Sequence, residues 1–351
     1  MQVEEMTTAP RPAHRLDEAA LAAYLADHLP GWRGTLSLRQ FEGGQSNPTY
    51  LLEAGGKRYV LRKQPPGALA PKAHAIDREY RIMQALAETD VPVPPPLHYC
   101  ADPAVIGTPF YVMGYLPGRV FKNPALPALD RAARGGVHDA MNESLARLHR
   151  IDWRALGLAD YGKAEDYIGR QVAFWSRQYE RTKTGDEPDI AHLAGWLAER
   201  RPADAGATIV HGDYRIENLI YAPDRPAVLA IVDWELSTIG HPLCDLAFNC
   251  MAYHFPSGHP ILHGLKDVDL AAAGIPSEAE YVAAYCRRTG RDGIHDWAYF
   301  MAFSLFRVAV IQQGVYRRAL DGNASSQLAR LFGESFPVVA RAGVALIAQT
   351  P

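Results

Sequence analysis

The segment His211-Gly212-Asp213-Tyr214-Arg215-Ile216-Glu217-Asn218 is followed by the apolar run Ile231-Val232 and then Asp233-Trp234-Glu235. One aspartate thus stands in a loop, an asparagine stands five residues on, and a second aspartate ends a strand-like run. Phosphoryl transfer asks a protein for little covalent chemistry, but it does need a group to orient the attacking hydroxyl and hard oxygen ligands for magnesium on the phosphates. Asp213 suits the first task, and Asn218 and Asp233 the second. Magnesium keeps several of its waters, so one carboxylate, one amide carbonyl and phosphate oxygens suffice. A His-Gly-Asp triplet alone is also a common turn in which the aspartate caps a nearby amide. The linked Asn218 and Asp233 are what favour chemistry over that reading, with His211 bonding backbone near Asp213 rather than acting as the base.

These side chains need elements to hold them. Leu36, Leu38 and Phe41 alternate with polar residues, Tyr50 to Glu53 and Tyr59 to Arg62 form two short runs joined at Gly55-Gly56, and two more runs follow near Leu97 to Ala101 and Phe110 to Met113. Five antiparallel strands are predicted. Ile76, Tyr80 and Met83 recur at helical spacing over 75–88, and Asp17 is placed to cap a helix carrying Leu21, Leu25 and Leu29. Helices are predicted near 130–150, 164–182, 189–199, 278–289 and 294–320, with strands in this half only at Ile209 to His211, Leu219 to Tyr221 and Val228 to Asp233. The expected organisation is a flexible tail over 1–16, a sheet-bearing lobe over 17–114 and a helical lobe over 115–351, handing over at Gly114 to Gly118.

The spacing H-x-D-x-x-x-x-N with a later strand-borne aspartate is shared with the catalytic loop of protein kinases. With glycine between His211 and Asp213, it resembles the aminoglycoside phosphotransferase and choline kinase superfamily. Tyr59-Val-Leu-Arg-Lys-Gln-Pro-Pro-Gly, Asp77-Arg-Glu-Tyr-Arg-Ile-Met, Phe110-Tyr-Val-Met-Gly-Tyr, the run from Trp234 to Leu246 and the run from Phe306 to Tyr316 are similar, in this order, to the phosphotransferase domain that animals carry fused to acyl-CoA dehydrogenases and to its stand-alone bacterial homologues. The resemblance covers about residues 30–340. It implies a protein-kinase-like, two-lobed α+β fold with a five-stranded N-lobe and a mainly helical C-lobe, and ATP and Mg2+ as cofactors. By position in that fold, Ser46 and Asn47 would meet phosphate oxygens, Val60 would floor the adenine, Arg62 steadied by Glu79 would reach the phosphates, and Met113 and Tyr115 would lie at the hinge. Strand parity favours Arg62 over Lys63, because Arg62 shares a face with Val60. Gly114 departs from the glutamate common there.

Lysine and arginine number 36 against 39 acidic residues, a net charge of −3, so no broad field favours nucleic acid or an anionic membrane. The polar N-terminus and the absence of a bilayer-length apolar run point to no membrane partner. Cys100, Cys244, Cys250 and Cys286 lack metal or disulfide spacing, which fits a cytoplasmic protein. The partner expected is a small-molecule hydroxyl acceptor. The fused relatives imply a hydroxyacyl-CoA or hydroxy acid; an aminoglycoside- or choline-like kinase, a silent nucleotide-binding module and a metal-dependent hydrolase are the alternatives. Trp175, Tyr179, Tyr253, His254, Phe255 and Tyr316 could wall the acceptor pocket or simply be core. Asp245 reads as a helix cap or buried structural partner, and Arg307, set among apolar residues, requires an anion: Asp245, another carboxylate or the acid group of a substrate, with a structural pair favoured.

Overall fold

A computed structural model describes residues 6–42, 47–67, 74–203, 206–259, 261–321 and 328–350. The chain forms two compact units, Met1–Phe121 with Glu217–Ser237, and Lys122–Ile216 with Thr238–Pro351.

In the first unit, β1 (Thr7–Thr8) precedes α1 (Glu18–His28), β2 (Ser37–Phe41), β3 (Thr49–Ala54), β4 (Lys57–Lys63), α2 (Ile76–Leu86), β5 (Pro96–Cys100) and β6 (Phe110–Gly114). These strands make an antiparallel sheet in the order β1-β2-β3-β4-β6-β5. Six strands replace the expected five, and the added one comes from the stretch expected to be a tail. Thr7 and Thr8 pair with Phe41 and Gln40, and Arg39 fastens the strand by donating to the Thr7 hydroxyl at 2.8 Å and carbonyl at 2.6 Å. Alternation along β4 sorts the two faces. Tyr59 and Leu61 join Leu21 and Leu25 of α1, Tyr50, Leu52, Phe110 and Val112 in one core. Val60 and Arg62 take the other face, opposite Met113 and Tyr111 of β6, and α2 packs on β5 and β6. Asp17 caps α1 by accepting from the Ala20 amide at 2.9 Å.

The second unit holds α3 (Arg131–Arg150), α4 (Tyr167–Thr182), α5 (Pro188–Glu199) and β7 (Thr208–Val210). The chain then returns to the first unit for β8 (Leu219–Tyr221) and β9 (Val228–Ile231) before β10 (Thr238–Gly240), α6 (Pro242–Cys250), α7 (Leu270–Ala273), α8 (Glu278–Thr289), α9 (Trp297–Leu320) and α10 (Leu328–Ile347) complete the second. A single break at 114–118 therefore does not describe the division. The β8-β9 pair belongs to the sheet-bearing unit, tied by the Ile231 amide to the Pro92 carbonyl at 2.8 Å and by the bridge Arg119–Tyr221. A side chain at Gly118 would strike Ile220 and the Tyr221 carbonyl, so that strap needs glycine.

Among the described residues α9 is long and apolar enough to cross a membrane, contrary to the expectation that no run approaches that length. Yet 83% of its most apolar window is buried, against α10, α6, α4 and α5. Helix α10 was not foreseen, because Pro337 interrupts its pattern; it packs closely through Gly333 against Tyr316 and Gly343 against Leu193.

His138 of α3 is buried and its Nε2–H donates to the Pro124 carbonyl at 2.9 Å. Burial drives its pKa down to about 4. A histidine lowered on folding leaves stability intact above the ordinary value of 6.5 and loses it as pH falls toward the folded value. His138→Gln is therefore expected to remove roughly 3 kcal/mol of the stability lost by the wild type between pH 6.5 and pH 4. Parallel denaturant titrations of both proteins across that range would measure it, and equal acid sensitivity would contradict the assignment.

Candidate active site

Several of the residues singled out in the sequence come together in the first unit. Arg62 is nearly buried, with Nε 2.8 Å from Glu79 Oε2, Nη2 2.6 Å from Asp233 Oδ1, and Nη2 3.8 Å from Glu235 Oε2. Burial works against its charge, but Glu79 and Asp233 outweigh that and hold the proton more tightly than usual. Glu79 is itself buried and receives Asn47 Nδ2 at 2.6 Å and the Tyr111 hydroxyl at 3.0 Å. Burial pushes its carboxyl up, while Arg62 and Tyr111 act in the opposite direction.

Of the two basic residues that compete on β4, Arg62 is the one on this face. Lys63 is buried beside Phe110 on the opposite face, and burial lowers its pKa. Asn47 departs from expectation. Its amide is spent on Glu79 and its oxygen receives His74 Nδ1 at 3.1 Å, so it braces the glutamate instead of facing phosphate. Ser46 lies, with Gly43, Gly44 and Gln45, outside the described residues. Val60 and Met113 are paired neighbours, the Gly114 amide donates to the Pro95 carbonyl at 2.8 Å, and the Tyr115 ring is covered by the Arg58 guanidinium at 4.2 Å.

Asn218 and Asp233 stand at adjacent strand ends. Leu219 pairs with Ile231, and the Val232 amide donates to the Asn218 carbonyl at 2.9 Å. Asp233 adopts a left-handed conformation, φ 66° and ψ 60°, and its side chain is 41% exposed. The turn is held from behind by buried Trp234, whose Nε1 donates to the Ile231 carbonyl at 2.9 Å, and by the Ser237 hydroxyl on the Trp234 carbonyl at 2.6 Å. An aspartate held in αL at a strand end is aimed by the backbone. A carboxylate and an amide carried on adjacent strand ends are, by type, oxygen donors that suit magnesium, which needs few protein ligands. Among the described residues no cluster of three or more His, Cys, Asp or Glu offers a closed metal cage.

Asp213 belongs to the second unit. Its amide donates to His211 Nδ1 at 3.2 Å, and its Oδ1 lies 3.1 Å from Arg215 Nε. His211 is fully buried and supports the backbone, as expected. Asp245, in the first turn of α6, accepts from the His211 amide at 2.5 Å and the Gly212 amide at 2.8 Å, and His149 Nε2 approaches it at 3.4 Å. Burial alone would raise its carboxyl, but His149, His211 and the Gly212 amide hold it below the usual range. Of the anions considered for Arg307, Asp245 does not pair with it. Arg307 Nη2 donates to the Gly212 carbonyl at 2.6 Å instead, because both Asp245 oxygens are occupied by backbone amides.

The pocket-wall residues separate similarly. Tyr179 and Tyr253 spend their hydroxyls on the Gly185 and Pro276 carbonyls, His254 meets Glu278, Phe255 is buried, and Tyr316 packs on Phe336. Trp175 is half-buried and sits over Arg307.

The model of the phosphotransferase enzyme family matches residues 37–297. The chain belongs to this family. It is 48% identical over 315 residues, 88% of its length, to acyl-CoA dehydrogenase family member 10 of Mus musculus, and 44% identical over 354 residues, 99% of its length, to acyl-CoA dehydrogenase family member 11 of Gallus gallus. The chain spans only 30% and 45% of those relatives. A Ralstonia eutropha protein assigned to the aminoglycoside phosphotransferases superposes with a TM-score of 0.87 at 42% identity, covering 95% of this chain and 99% of that one. Choline kinase from Cryptosporidium parvum, at 11% identity and a TM-score of 0.67 over 95% of this chain and 97% of its own, shares the fold. The phosphotransferase thus has a protein-kinase-like fold.

Removing one acceptor from the buried Asp245 network should cost about 3 kcal/mol at neutral pH. A carboxyl lowered on folding contributes stability above its ordinary value, near 3.8, that is lost as pH falls through the folded value. The stability gap between wild type and Asp245→Asn should accordingly hold from pH 7 to pH 5 and narrow below about 3.8. A gap that is absent, or independent of pH down to 2, would speak against the network.

Proposed function

We propose that the chain is an ATP-dependent kinase of a small molecule, which transfers the γ-phosphate to a hydroxyl of a hydroxyacyl-CoA or hydroxy acid. The observation that carries the phosphotransfer reading is Arg62, nearly buried between Glu79 and Asp233, on the same sheet face as Val60 and Met113. A cation fixed by one carboxylate and shared with another that is partly exposed is placed to exchange that second partner for phosphate oxygen.

In the reaction the acceptor oxygen forms a bond to the γ-phosphorus, the bond to the bridging oxygen breaks, and ADP leaves. Asp213 receives the hydroxyl proton, and Arg62 meets charge on the phosphates. Asn218 and Asp233 would hold a divalent cation, which when bound neutralises phosphate charge. Asn47 and Glu79 keep Arg62 in place, and backbone groups of the hinge over 113–116 other than the Gly114 amide, which Pro95 takes, would recognise the adenine.

The acyl acceptor is favoured by the relatives, whose names carry acyl-CoA chemistry, and by α4. That helix bears Arg170, Arg177 and Arg181 against Glu180, with Phe174 exposed and Trp175 half-buried. Such a surface suits an anionic molecule with an apolar chain and repels a polycation such as an aminoglycoside. The four cysteines are free and buried, consistent with a cytoplasmic setting.

Asp213→Asn is expected to lower turnover by about 10²-fold or more while Mg·ATP binds within twofold of wild type. Asp233→Ala is expected to weaken Mg·ATP binding itself by at least tenfold. Calorimetric titration beside a coupled ADP-release assay separates the two, and retained turnover in Asp213→Asn would overturn the roles.

A further inference from the structure

The loop that carries Asp213 is held on both sides of one residue. Gly212 has φ +84°, a conformation that disfavours any side chain. Its N–H is taken by the Asp245 carboxylate at 2.8 Å, and its carbonyl by Arg307 Nη2 at 2.6 Å. Arg307 comes from the middle of α9 and is 8% exposed. Its guanidinium lies 5.0 Å from the Phe248 ring centre and 5.6 Å from that of Trp175, which is steadied by its own Nε1 on Gln171 at 3.2 Å. Among the described residues no carboxylate pairs with it. A buried cation kept only to stabilise a helical core would be set against an anion, or replaced by a hydrocarbon of the same volume. Here the charge is directed at the carbonyl that immediately precedes Asp213, and the two ring faces restrict its direction.

We infer that Arg307 is a positioning residue for phosphotransfer. Its guanidinium and the Asp245 carboxylate grip opposite ends of Gly212, and the turn between them fixes the direction of the Asp213 side chain. The inference rests on the reading of Asp213 as the residue that receives the hydroxyl proton. Arg307 touches none of the groups assigned to nucleotide, so its loss should act on the chemical step and not on ATP affinity.

Arg307→Met keeps the volume and removes the donors, whereas Arg307→Lys keeps one charged donor. The expected result is a fall in kcat of about 10²-fold for the methionine variant with KM for ATP within twofold, and recovery of at least tenfold of that loss by lysine. Methionine at wild-type kcat, a KM rise that matches the fall in kcat, or lysine no better than methionine would each overturn it. Should Arg307→Met fold poorly, Arg307→Ala with added guanidinium ion replaces it, and rescue of turnover is the supporting outcome and absence of rescue the contrary one. Amide hydrogen exchange across residues 209–214 reads the grip without any acceptor. Faster exchange there in Arg307→Met, with α5 unchanged, supports the grip even if wild type transfers no phosphate and the kinase reading fails; unchanged exchange contradicts the grip itself.

Discussion

A guanidinium almost wholly out of water is costly, and the sheet-bearing unit is organised around meeting the one on Arg62. Glu79 answers it from α2, and Glu79 in turn takes hydrogen bonds from Asn47 and Tyr111. Asp233 answers from a left-handed turn buttressed by Trp234. Each partner comes from a different element, so the charge requires the β3-β4-β6 register, the seat of α2 and the return of residues 217–237 to this unit. Such a network adds little net stability compared with hydrocarbon of the same size. What it supplies is a fixed direction for the cation and for the carboxylate beside it.

The helical unit solves a related problem with backbone instead of side chains. A sharp turn at Gly212 leaves peptide groups in an interior where they must find partners. Asp245 and Arg307 provide one partner of each sign, and His149, linked to the Tyr285 hydroxyl at 2.7 Å, reaches Asp245 from the far side. The rigidity of the loop is thus written in residues distant from it in sequence.

Much of this was legible beforehand. Two-residue alternation separated Arg62 from Lys63, helical spacing found α2 with Glu79 upon it, and the spacing of Asp213, Asn218 and Asp233 singled out the stretch 213–233. Other features left no local trace. Thr7–Thr8 is too short a strand to show a period, and its neighbourhood of prolines reads as a tail. Pro337 hid α10. Glu235, His74 and Tyr111 join the site only through tertiary contact. Asn47 looked like a phosphate donor because an amide in a glycine-rich turn is one by type; its burial against Glu79 could not be read from spacing. For Arg307 the apolar surroundings showed that it was buried, and only the three-dimensional course of the chain showed that its partner is a carbonyl.

The most direct test is transfer of the terminal phosphate of Mg·ATP, followed by product identification, across hydroxyacyl-CoAs, hydroxy acids, aminoglycosides, choline and sugars. If the site works as described, a phosphorylated hydroxyacyl-CoA or hydroxy acid and ADP form in equal amounts. Binding of ATP with no transfer to any acceptor would contradict the kinase chemistry, and transfer confined to aminoglycosides would contradict the acyl acceptor.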